Sequence, residues 1–247
     1  MRIFGHRGAA GEAPENTIAG VGHALARGVD AIEIDLRLSA DNQLVVVHDH
    51  NLQRTTGIDR LVKSYSAAEL SRLNATASGP LWPDTDNCGV SAIEPFLSAN
   101  PALRTVQLEM KSDEHSPCDE LLPPLLEFLD NYRGPLELVV TSFDYELLEK
   151  LRGLRPDQPI GAISYKPEVL QTLATLNCEY LCVHYSICDE DFIRRARQHA
   201  AQLSVWTVNN PRRVEWLYEQ GIDSIITDYP SMAVPLLSKL QRQSSQA

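Results

Sequence analysis

The stretch AIEIDLRL, residues 31–38, has apolar side chains at every second position and carboxylates at two of the positions between them. Strand side chains alternate between two faces, so Ile32 and Ile34 share one face and Glu33 and Asp35 the other. The carboxylates either face solvent on an edge strand or point into a barrel whose outer face is covered by helices. The apolar face needs such a cover, so the pattern favours the barrel.

The rest of the chain repeats this arrangement. Short apolar or β-branched runs recur, and most are separated by helical patterns. The predicted strands are 2–5, 31–38, 44–48, 105–110, 136–143, 159–164, 179–184, 203–208 and 222–227. Strands that alternate with helices pair in parallel, because a parallel connection needs a crossover. The sequence therefore predicts an α/β fold. Nine strands are one more than a closed eight-stranded barrel uses.

The extra strand belongs to a predicted hairpin. Only SADNQ separates runs 31–38 and 44–48, and Asp41-Asn42 is a turn signal. A turn centred between these two residues would place Asp35 directly opposite His48. A doubly wound open sheet is the alternative, but no G-x-G-x-x-G follows the first strand.

The length of the chain and the alternation of predicted strands and helices predict one domain over residues 1–247, with an insertion at about residues 51–100 where this alternation is interrupted. The insertion contains one capping box, from Ser66 to Glu69, and then the irregular run SGPLWPDTDNCG. Loops of this length in compact folds are usually functional or additional. We expect the insertion to lie above the barrel.

The composition limits the partners and the location. Lys and Arg number 22 and Asp and Glu number 33, which gives a net charge of −11. This charge argues against nucleic acid and against an anionic membrane surface as the main partner, so we expect no stable membrane association. No secretion signal or membrane-spanning run is visible, so we expect a cytoplasmic protein. The oligomeric state cannot be predicted.

The five cysteines are odd in number and irregularly spaced, which is typical of reduced thiols in the cytoplasm. A zinc site is an alternative for one group of residues, although its spacing fits no usual structural pattern. That group is Cys178, Cys182, His184 and Cys188.

Three carboxylates fall at predicted strand ends: Glu33, Asp35 and Glu109. In a barrel those ends surround one mouth, where active sites are built. Carboxylates on one inward face repel each other unless a positive charge lies between them. A set of oxygen ligands without cysteine suits hard cations. We predict that these residues bind one divalent cation, Mg²⁺ or Ca²⁺.

Two of the seven histidines also end strands near these acids, namely His6 and His48. Histidines on opposite sides of a reacting group can act as general acid and general base. The cations Arg7 and Lys111 at the same strand ends could bind a phosphate. The small residues of GHRGAAG, 5–11, would let backbone and substrate approach closely.

In chain order, HRG, PENT, E-x-D, HD followed by RTTG, and E-x-K resemble the glycerophosphodiester phosphodiesterase family. Ser142-Phe143, Trp206 to Asn209 and Thr227-Asp228 are also similar to family positions. The resemblance covers nearly the whole chain and implies a distorted TIM (β/α)8 barrel with a small insertion after the third strand segment. It implies metal-dependent hydrolysis of glycerophosphodiesters to sn-glycerol 3-phosphate and an alcohol.

The resemblance also implies roles for single residues. His6 and His48 would be the catalytic pair, Arg7 and Lys111 would bind the phosphate, and Trp206 would form a wall of the glycerol pocket or pack in the core. The metal would be held by Glu33, Asp35 and Glu109. Glu15 would orient Arg7 or His6.

Several alternatives remain open at this stage. The alcohol could be choline, ethanolamine, inositol or glycerol, since VSAIEPFL replaces the IPTLEE-like segment that the family usually has before its fourth strand. The sequence does not say which histidine is the acid, or whether water attacks directly or a cyclic phosphate forms first. A carboxylate-based glycosidase and a non-catalytic phosphate-ester binder are the alternative functions.

Overall fold

A computed structural model describes residues 1–83, 86–199 and 201–245. Within these segments nine strands form one sheet. The strands are β1 (Arg2–His6), β2 (Ala31–Leu38), β3 (Leu44–Val46), β4 (Thr105–Met110), β5 (Glu137–Ser142), β6 (Ile160–Ser164), β7 (Tyr180–His184), β8 (Gln202–Trp206) and β9 (Ser224–Thr227). Each predicted strand is present, with ends that differ from the prediction by at most two residues.

The sheet closes into a barrel of eight parallel strands. Its order is β1-β9-β8-β7-β6-β5-β4-β2, and β2 pairs in parallel with β1 to complete the circle. The ninth strand, β3, pairs antiparallel with the end of β2. The predicted α/β barrel with an extra hairpin strand is therefore confirmed, and the doubly wound sheet is excluded.

Helices follow most strands and cover the outside of the barrel, and further short helices lie between β3 and β4. They are α1 (Ile18–Ala26), α2 (Gln53–Thr56), α3 (Ala67–Leu70), α4 (Ile93–Ser98), α5 (Cys118–Asn131), α6 (Tyr145–Leu154), α7 (Val169–Leu176), α8 (Glu190–Ala196), α9 (Pro211–Glu219) and α10 (Pro230–Ser244). Across the described segments, none of the helices combines the length and the apolar character needed to cross a bilayer.

The apolar face of β2 packs outward, as its alternation predicts. Ile32 and Ile34 are fully buried in a large core that also contains Val21 of α1 and Leu125 of α5. Smaller apolar clusters from the strands fill the interior of the barrel. The carboxylates of β2 therefore point into the barrel rather than into solvent.

The predicted hairpin forms, but its predicted register is wrong by one residue. Leu36 pairs with Val46, and the Val47 amide donates to the Asp35 carbonyl at 2.9 Å. Beyond the two strands the Ser39 amide donates to the Gln43 carbonyl at 3.0 Å, which leaves a loop of three residues, 40–42, whose last residue, Asn42, is left-handed with a φ of 56°. His48 therefore lies beyond the end of β3 and is not the partner of Asp35 in the sheet.

The segment between β3 and β4 has a small core of its own. Seven buried apolar residues form it: Val45, Val47, Leu52, Val62, Leu70, Ala75 and Val90. Short helices α2 and α3 lie at this core, whereas the buried residues of α4 belong to the large core. The predicted capping box between Ser66 and Glu69 is present at α3. The segment packs against β3 and thereby fixes the loop that carries His48 beside the mouth of the barrel.

Candidate active site

The carboxyl ends of the strands surround a cavity of about 270 Å³. Seven of the eight residues that the sequence predicts for the site line it: His6, Arg7, Glu33, His48, Glu109, Lys111 and Trp206. The eighth, Asp35, is fully buried behind Arg7 and Lys111, which both contact it. The structure therefore brings all eight residues together at one end of the barrel.

The three predicted metal ligands form one acidic cluster. Asp35 and Glu109 are register partners on β2 and β4, and Glu33 lies two residues before Asp35 on the same face. One oxygen from each carboxylate lies within 4.8 Å of the others. The exposed fractions of Glu33, Asp35 and Glu109 are 4%, 0% and 8%. No other such group of potential ligands occurs in the described segments, so the alternative zinc site receives no support.

The electrostatics of this cluster suit a bound cation. Burial, followed by repulsion from Asp35, raises the pKa of Glu33 well above its usual range, and burial likewise raises that of Glu109. In the described part of the chain, Glu33 Oε1 has no hydrogen-bond partner although it is buried. A divalent ion among these oxygens would remove the repulsion and satisfy the orphaned atom. The residues present therefore fit Mg²⁺ or Ca²⁺.

Two cations partly neutralise the acids. Lys111 Nζ lies 2.9 Å from Asp35 Oδ1 and also contacts Glu109 Oε1. Arg7 Nε lies 3.1 Å from Asp35 Oδ2, and its Nη1 donates to Glu15 Oε1 at 2.9 Å. Burial opposes the charge of Asp35, but Lys111 and then Arg7 hold its pKa below the usual range. Both cations also line the cavity, where an anionic group would meet them.

The glycines beside Arg7 allow a tight turn that packs closely on α1. A Cβ at Gly5 would lie 2.0 Å from the Gly8 carbonyl oxygen, and one at Gly8 would lie 3.0 Å from the backbone of Gly20. Arg7 itself has a left-handed φ of 51°, and its amide donates to the Glu33 carbonyl at 2.8 Å. The predicted close approach of the backbone is therefore confirmed at Gly5 and Gly8, which let the turn fold tightly against α1. That the small residues also let substrate approach stays a prediction.

His6 ends β1 and is anchored by a carboxylate from the end of β9. Its Nδ1 lies 2.6 Å from Asp228 Oδ1, and Asn209 Nδ2 donates to Asp228 Oδ2 at 2.5 Å. Its Nε2 lies 3.8 Å from Glu33 Oε2. With Nδ1 held by Asp228, Nε2 is the ring nitrogen left for chemistry in the cavity.

His48 is anchored in the same way by the residue that follows it. Its Nδ1 lies 2.6 Å from Asp49 Oδ1, and Arg54 Nε donates to Asp49 Oδ2 at 2.6 Å. Burial lowers the pKa of His48, while the charge of Asp35 and the hydrogen bond that His48 donates to Asp49 oppose this shift. The ring is therefore mainly neutral at pH 7, with Nε2 as its free nitrogen.

Sequence reasoning missed the side chains that hold the predicted ones. Asp49 and Asp228 orient the histidines, and Asn16 Nδ2 donates to Asp35 Oδ2 at 2.8 Å. A signal for each was present: Asp49 adjoins His48, Asp228 follows the last strand, and Asn16 precedes a helix. What each residue contacts depends on pairs that are far apart along the chain.

Trp206 both walls the cavity and packs in the interior of the barrel. Its indole Nε1 donates to the Cys182 carbonyl at 3.1 Å. Its ring meets Phe143 edge-on at a centroid distance of 5.7 Å, and His184 at 5.0 Å. Phe143 lines the same cavity and is 41% exposed. One side of the mouth is therefore aromatic.

A larger cavity, of about 400 Å³, lies at the opposite end of the barrel between α4 and α5. Its lining contains residues that precede β4 and β5, such as Pro101 and Leu136, and none of the predicted site residues. In parallel barrels the amino ends of the strands serve stability rather than chemistry. The smaller cavity at the mouth is therefore the candidate active site.

Comparisons with known proteins agree with this geometry. A family model described as the glycerophosphoryl diester phosphodiesterase family matches residues 6–232. A glycerophosphodiester phosphodiesterase of Bacillus subtilis (strain 168) is 28% identical over 249 residues, which cover 92% of this chain and 83% of the relative. One from Bacillus altitudinis is 25% identical over 246 residues, which cover 97% of this chain and 99% of the relative.

Solved structures are similar over almost the whole chain. A phosphodiesterase from Oleispira antarctica, in complex with the product sn-glycerol-3-phosphate, superimposes with a TM-score of 0.86 and 27% identity. The match covers 96% of this chain and 97% of that one. A glycerophosphodiester phosphodiesterase from Thermotoga maritima has a TM-score of 0.76 at 22% identity, covering 95% and 97% of the two chains. This second likeness supports the fold alone.

Proposed function

The chain belongs to the glycerophosphoryl diester phosphodiesterase family and is a phosphoric diester hydrolase that acts on glycerophosphodiesters; from this premise we propose that it forms sn-glycerol 3-phosphate and an alcohol, using one divalent cation and two histidines. The observation that carries the proposal is the convergence of His6 and His48 with three buried acids and two cations around one cavity. A glycosidase or a simple phosphate-ester binder would leave the two anchored histidines without a role.

Arg7 and Lys111 bind the anionic phosphate in this proposal. Both line the cavity, and both are held from behind by carboxylates, so that their charge is oriented before the substrate arrives. Glu33, Asp35 and Glu109 would hold the ion, Mg²⁺ or Ca²⁺, which supplies Lewis-acid stabilisation of charge on the phosphate oxygens. Trp206 lies in the wall on the side where the glycerol would pack.

His6 and His48 move the protons. One Nε2 accepts the proton of the attacking hydroxyl, which belongs to water or to the glycerol, while a P–O bond forms, and the other Nε2 donates a proton to the alcohol oxygen as its P–O bond breaks. If the glycerol hydroxyl attacks, water opens the resulting cyclic phosphate in a second step and gives sn-glycerol 3-phosphate. Asp228 and Asp49 keep each ring in the tautomer and orientation that this needs. Positioned acid–base groups of this kind typically contribute about 10²–10⁴ in rate.

The proposed function is tested with a panel of glycerophosphodiesters that carry choline, ethanolamine, inositol or glycerol. We expect release of sn-glycerol 3-phosphate, measured with a coupled dehydrogenase, in a one-to-one ratio with the alcohol. Bis(p-nitrophenyl) phosphate, which lacks the glycerol, serves as a comparison diester. If none of the four substrates released sn-glycerol 3-phosphate in the presence of Mg²⁺ or Ca²⁺, the proposal would be wrong.

The lowered pKa of His48 predicts the acid side of the pH profile. In a bell-shaped profile the lower limb reports the more acidic of the two groups, whichever role that group has. Since burial lowers the pKa of His48 from 6.5, we expect the acid limb of kcat/KM below pH 6.5 at saturating metal. The Asp49→Asn variant replaces the charged acceptor of a hydrogen bond that raises this pKa by a neutral one, so its acid limb should move to a still lower pH.

The matched control is Asp59→Asn. Asp59 lies in the same insertion and accepts a hydrogen bond from Asn51 at 3.0 Å, but it does not contact His48. Its profile should coincide with that of the unmodified protein. An acid limb above pH 6.5, or a limb that moves upward in Asp49→Asn, would contradict the assignment of His48.

A further inference from the structure

We propose that Arg54 is a positioning residue for catalysis, whose guanidinium fixes His48 through Asp49 and couples this histidine to the phosphate-binding Arg7 through Glu15. The inference rests on the proposed function, since it assigns a role relative to His48 and Arg7. Arg54 is absent from the cavity lining, so it would act only through its partners.

The contacts of Arg54 use three of its nitrogens. Nε donates to Asp49 Oδ2 at 2.6 Å, Nη1 donates to Glu15 Oε2 at 2.6 Å, and Nη2 donates to Glu15 Oε1 at 2.8 Å. The pair with Glu15 is bidentate, which restricts the orientation as well as the distance. A planar guanidinium suits this geometry, and the single ammonium of a lysine does not.

These contacts join two segments that are far apart in sequence. Glu15 lies in the loop between β1 and α1, whereas Asp49 and Arg54 lie at the start of the insertion, 39 residues separating Glu15 from Arg54. Arg54 therefore ties the segment that carries His48 to the segment that carries Arg7. The two sides of the reacting phosphate are held relative to each other by one side chain.

The network continues to the reacting groups on both sides. On one side, Asp49 Oδ1 lies 2.6 Å from His48 Nδ1. On the other side, Glu15 Oε1 accepts from Arg7 Nη1 at 2.9 Å. Burial opposes the charge of Glu15, but hydrogen bonds from Arg54 and the charge of Arg7 keep its pKa lowered. Glu15 is therefore ionised and can serve both arginines at neutral pH.

The two ends of the network depend on Arg54 to different degrees. Arg7 has a second anchor, because its Nε also lies 3.1 Å from Asp35 Oδ2. The carboxylate that orients His48 belongs to a loop residue, and the bond from Arg54 is what holds its second oxygen. Loss of Arg54 should therefore disturb His48 more than Arg7. It should lower kcat and leave KM nearly unchanged.

A purely structural role is the competing explanation. The side chain of Arg54 is 41% exposed, and exposed ion pairs contribute little to stability. We therefore expect Arg54→Ala to retain a melting temperature close to that of the unmodified protein. A structural clamp would instead lower the melting temperature in proportion to the loss of activity.

The test compares Arg54→Ala, Arg54→Lys and Arg60→Ala in the full-length protein with a glycerophosphodiester substrate. Arg60 is an exposed arginine of the same insertion, and it has no carboxylate partner among the residues that the structure describes. We expect kcat of Arg54→Ala to fall by about 10- to 100-fold, as is typical for loss of a side chain that orients a functional residue. The kcat of Arg54→Lys should lie between those of Arg54→Ala and the unmodified protein. The kcat of Arg60→Ala should equal that of the unmodified protein.

Rescue by guanidinium separates positioning from folding. Added at millimolar concentration, guanidinium should restore part of the kcat of Arg54→Ala and none of the kcat of a variant that is partly unfolded. The inference is overturned if kcat of Arg54→Ala stays within twofold, or if its loss follows a lower melting temperature and guanidinium restores nothing. If the unmodified protein hydrolyses no glycerophosphodiester, the proposed function fails instead.

Discussion

His6→Asn and His48→Asn are each expected to lower kcat by about 10²–10⁴, the range that positioned acid–base groups contribute. Asparagine preserves the donor that faces Asp228 or Asp49, so the anchoring contact at 2.6 Å can be kept in each variant. What is lost is the ring Nε2 and its proton transfer. The measurement is steady-state release of sn-glycerol 3-phosphate, with circular dichroism and the melting temperature as checks on folding.

The double variant provides a sharper test of the pairing. Residues that act as one catalytic unit show strongly non-additive losses, so His6→Asn combined with His48→Asn should lose much less than the product of the single effects. His199→Asn is the matched control, because His199 follows α8 on the outside of the barrel and does not line the cavity. A well-folded single variant with more than a tenth of the original kcat would contradict the assignment.

The features that the sequence predicted correctly are local ones. The alternation in AIEIDLRL depends only on the direction of successive side chains in a strand. It was therefore sufficient to place Glu33 and Asp35 inside the barrel and Ile32 and Ile34 outside. The alternation of strands with helices predicts parallel strands, whose carboxyl ends all lie at one end of a barrel. The residues at these ends are therefore predicted to surround one mouth.

The features that the sequence analysis predicted incorrectly or missed depend on the strand register of a hairpin or on contacts between residues that are far apart in sequence. A hairpin loop of three residues instead of two moves the register by one, and the pair Asp41-Asn42 suits both loops. Asp228 contacts His6 across 222 residues, because the closure of the barrel brings β9 beside β1. Arg54 bridges two loops, and its position depends on how the insertion packs.

The small residues of the first turn show how a local sequence signal acts on the site through the backbone. The small residues of GHRGAAG predicted a close approach of backbone and substrate, and the structure shows the backbone part: at Gly5 and Gly8 the turn approaches itself and α1 closely. The same tight turn gives Arg7 its left-handed conformation and directs its amide to the Glu33 carbonyl. Small residues therefore shape the site by controlling the backbone that carries the functional side chains.

The second large effect concerns the acidic cluster, where function and stability should respond in opposite directions. Glu33→Gln is expected to lower kcat by about 10²–10⁴, equivalent to several kcal/mol of lost charge stabilisation at about 1.4 kcal/mol per factor of ten. It should also abolish the rise in melting temperature that millimolar Ca²⁺ or Mg²⁺ produces in the unmodified protein, since an ion that binds the native state stabilises it by mass action. Removal of the ion with EDTA should inactivate the unmodified protein reversibly.

Without added metal, the same variant should be as stable as the unmodified protein or more stable. Glu33 is buried beside Asp35 and Glu109, which disfavour its charge, and its Oε1 has no hydrogen-bond partner in the described segments. Replacing this carboxylate by a neutral group of the same shape removes repulsion, and we expect about 1 kcal/mol of added stability, or about 2–4 °C in Tm. Glu94→Gln, at an exposed position of α4, is the control and should change neither the metal response nor kcat. A carboxylate kept for packing would give the reverse result, with lower stability and an unchanged response to metal. A variant that gains stability and loses its response to metal would show that Glu33 is kept for activity at a cost in stability. A variant that loses stability and keeps its response would show that Glu33 stabilises the fold.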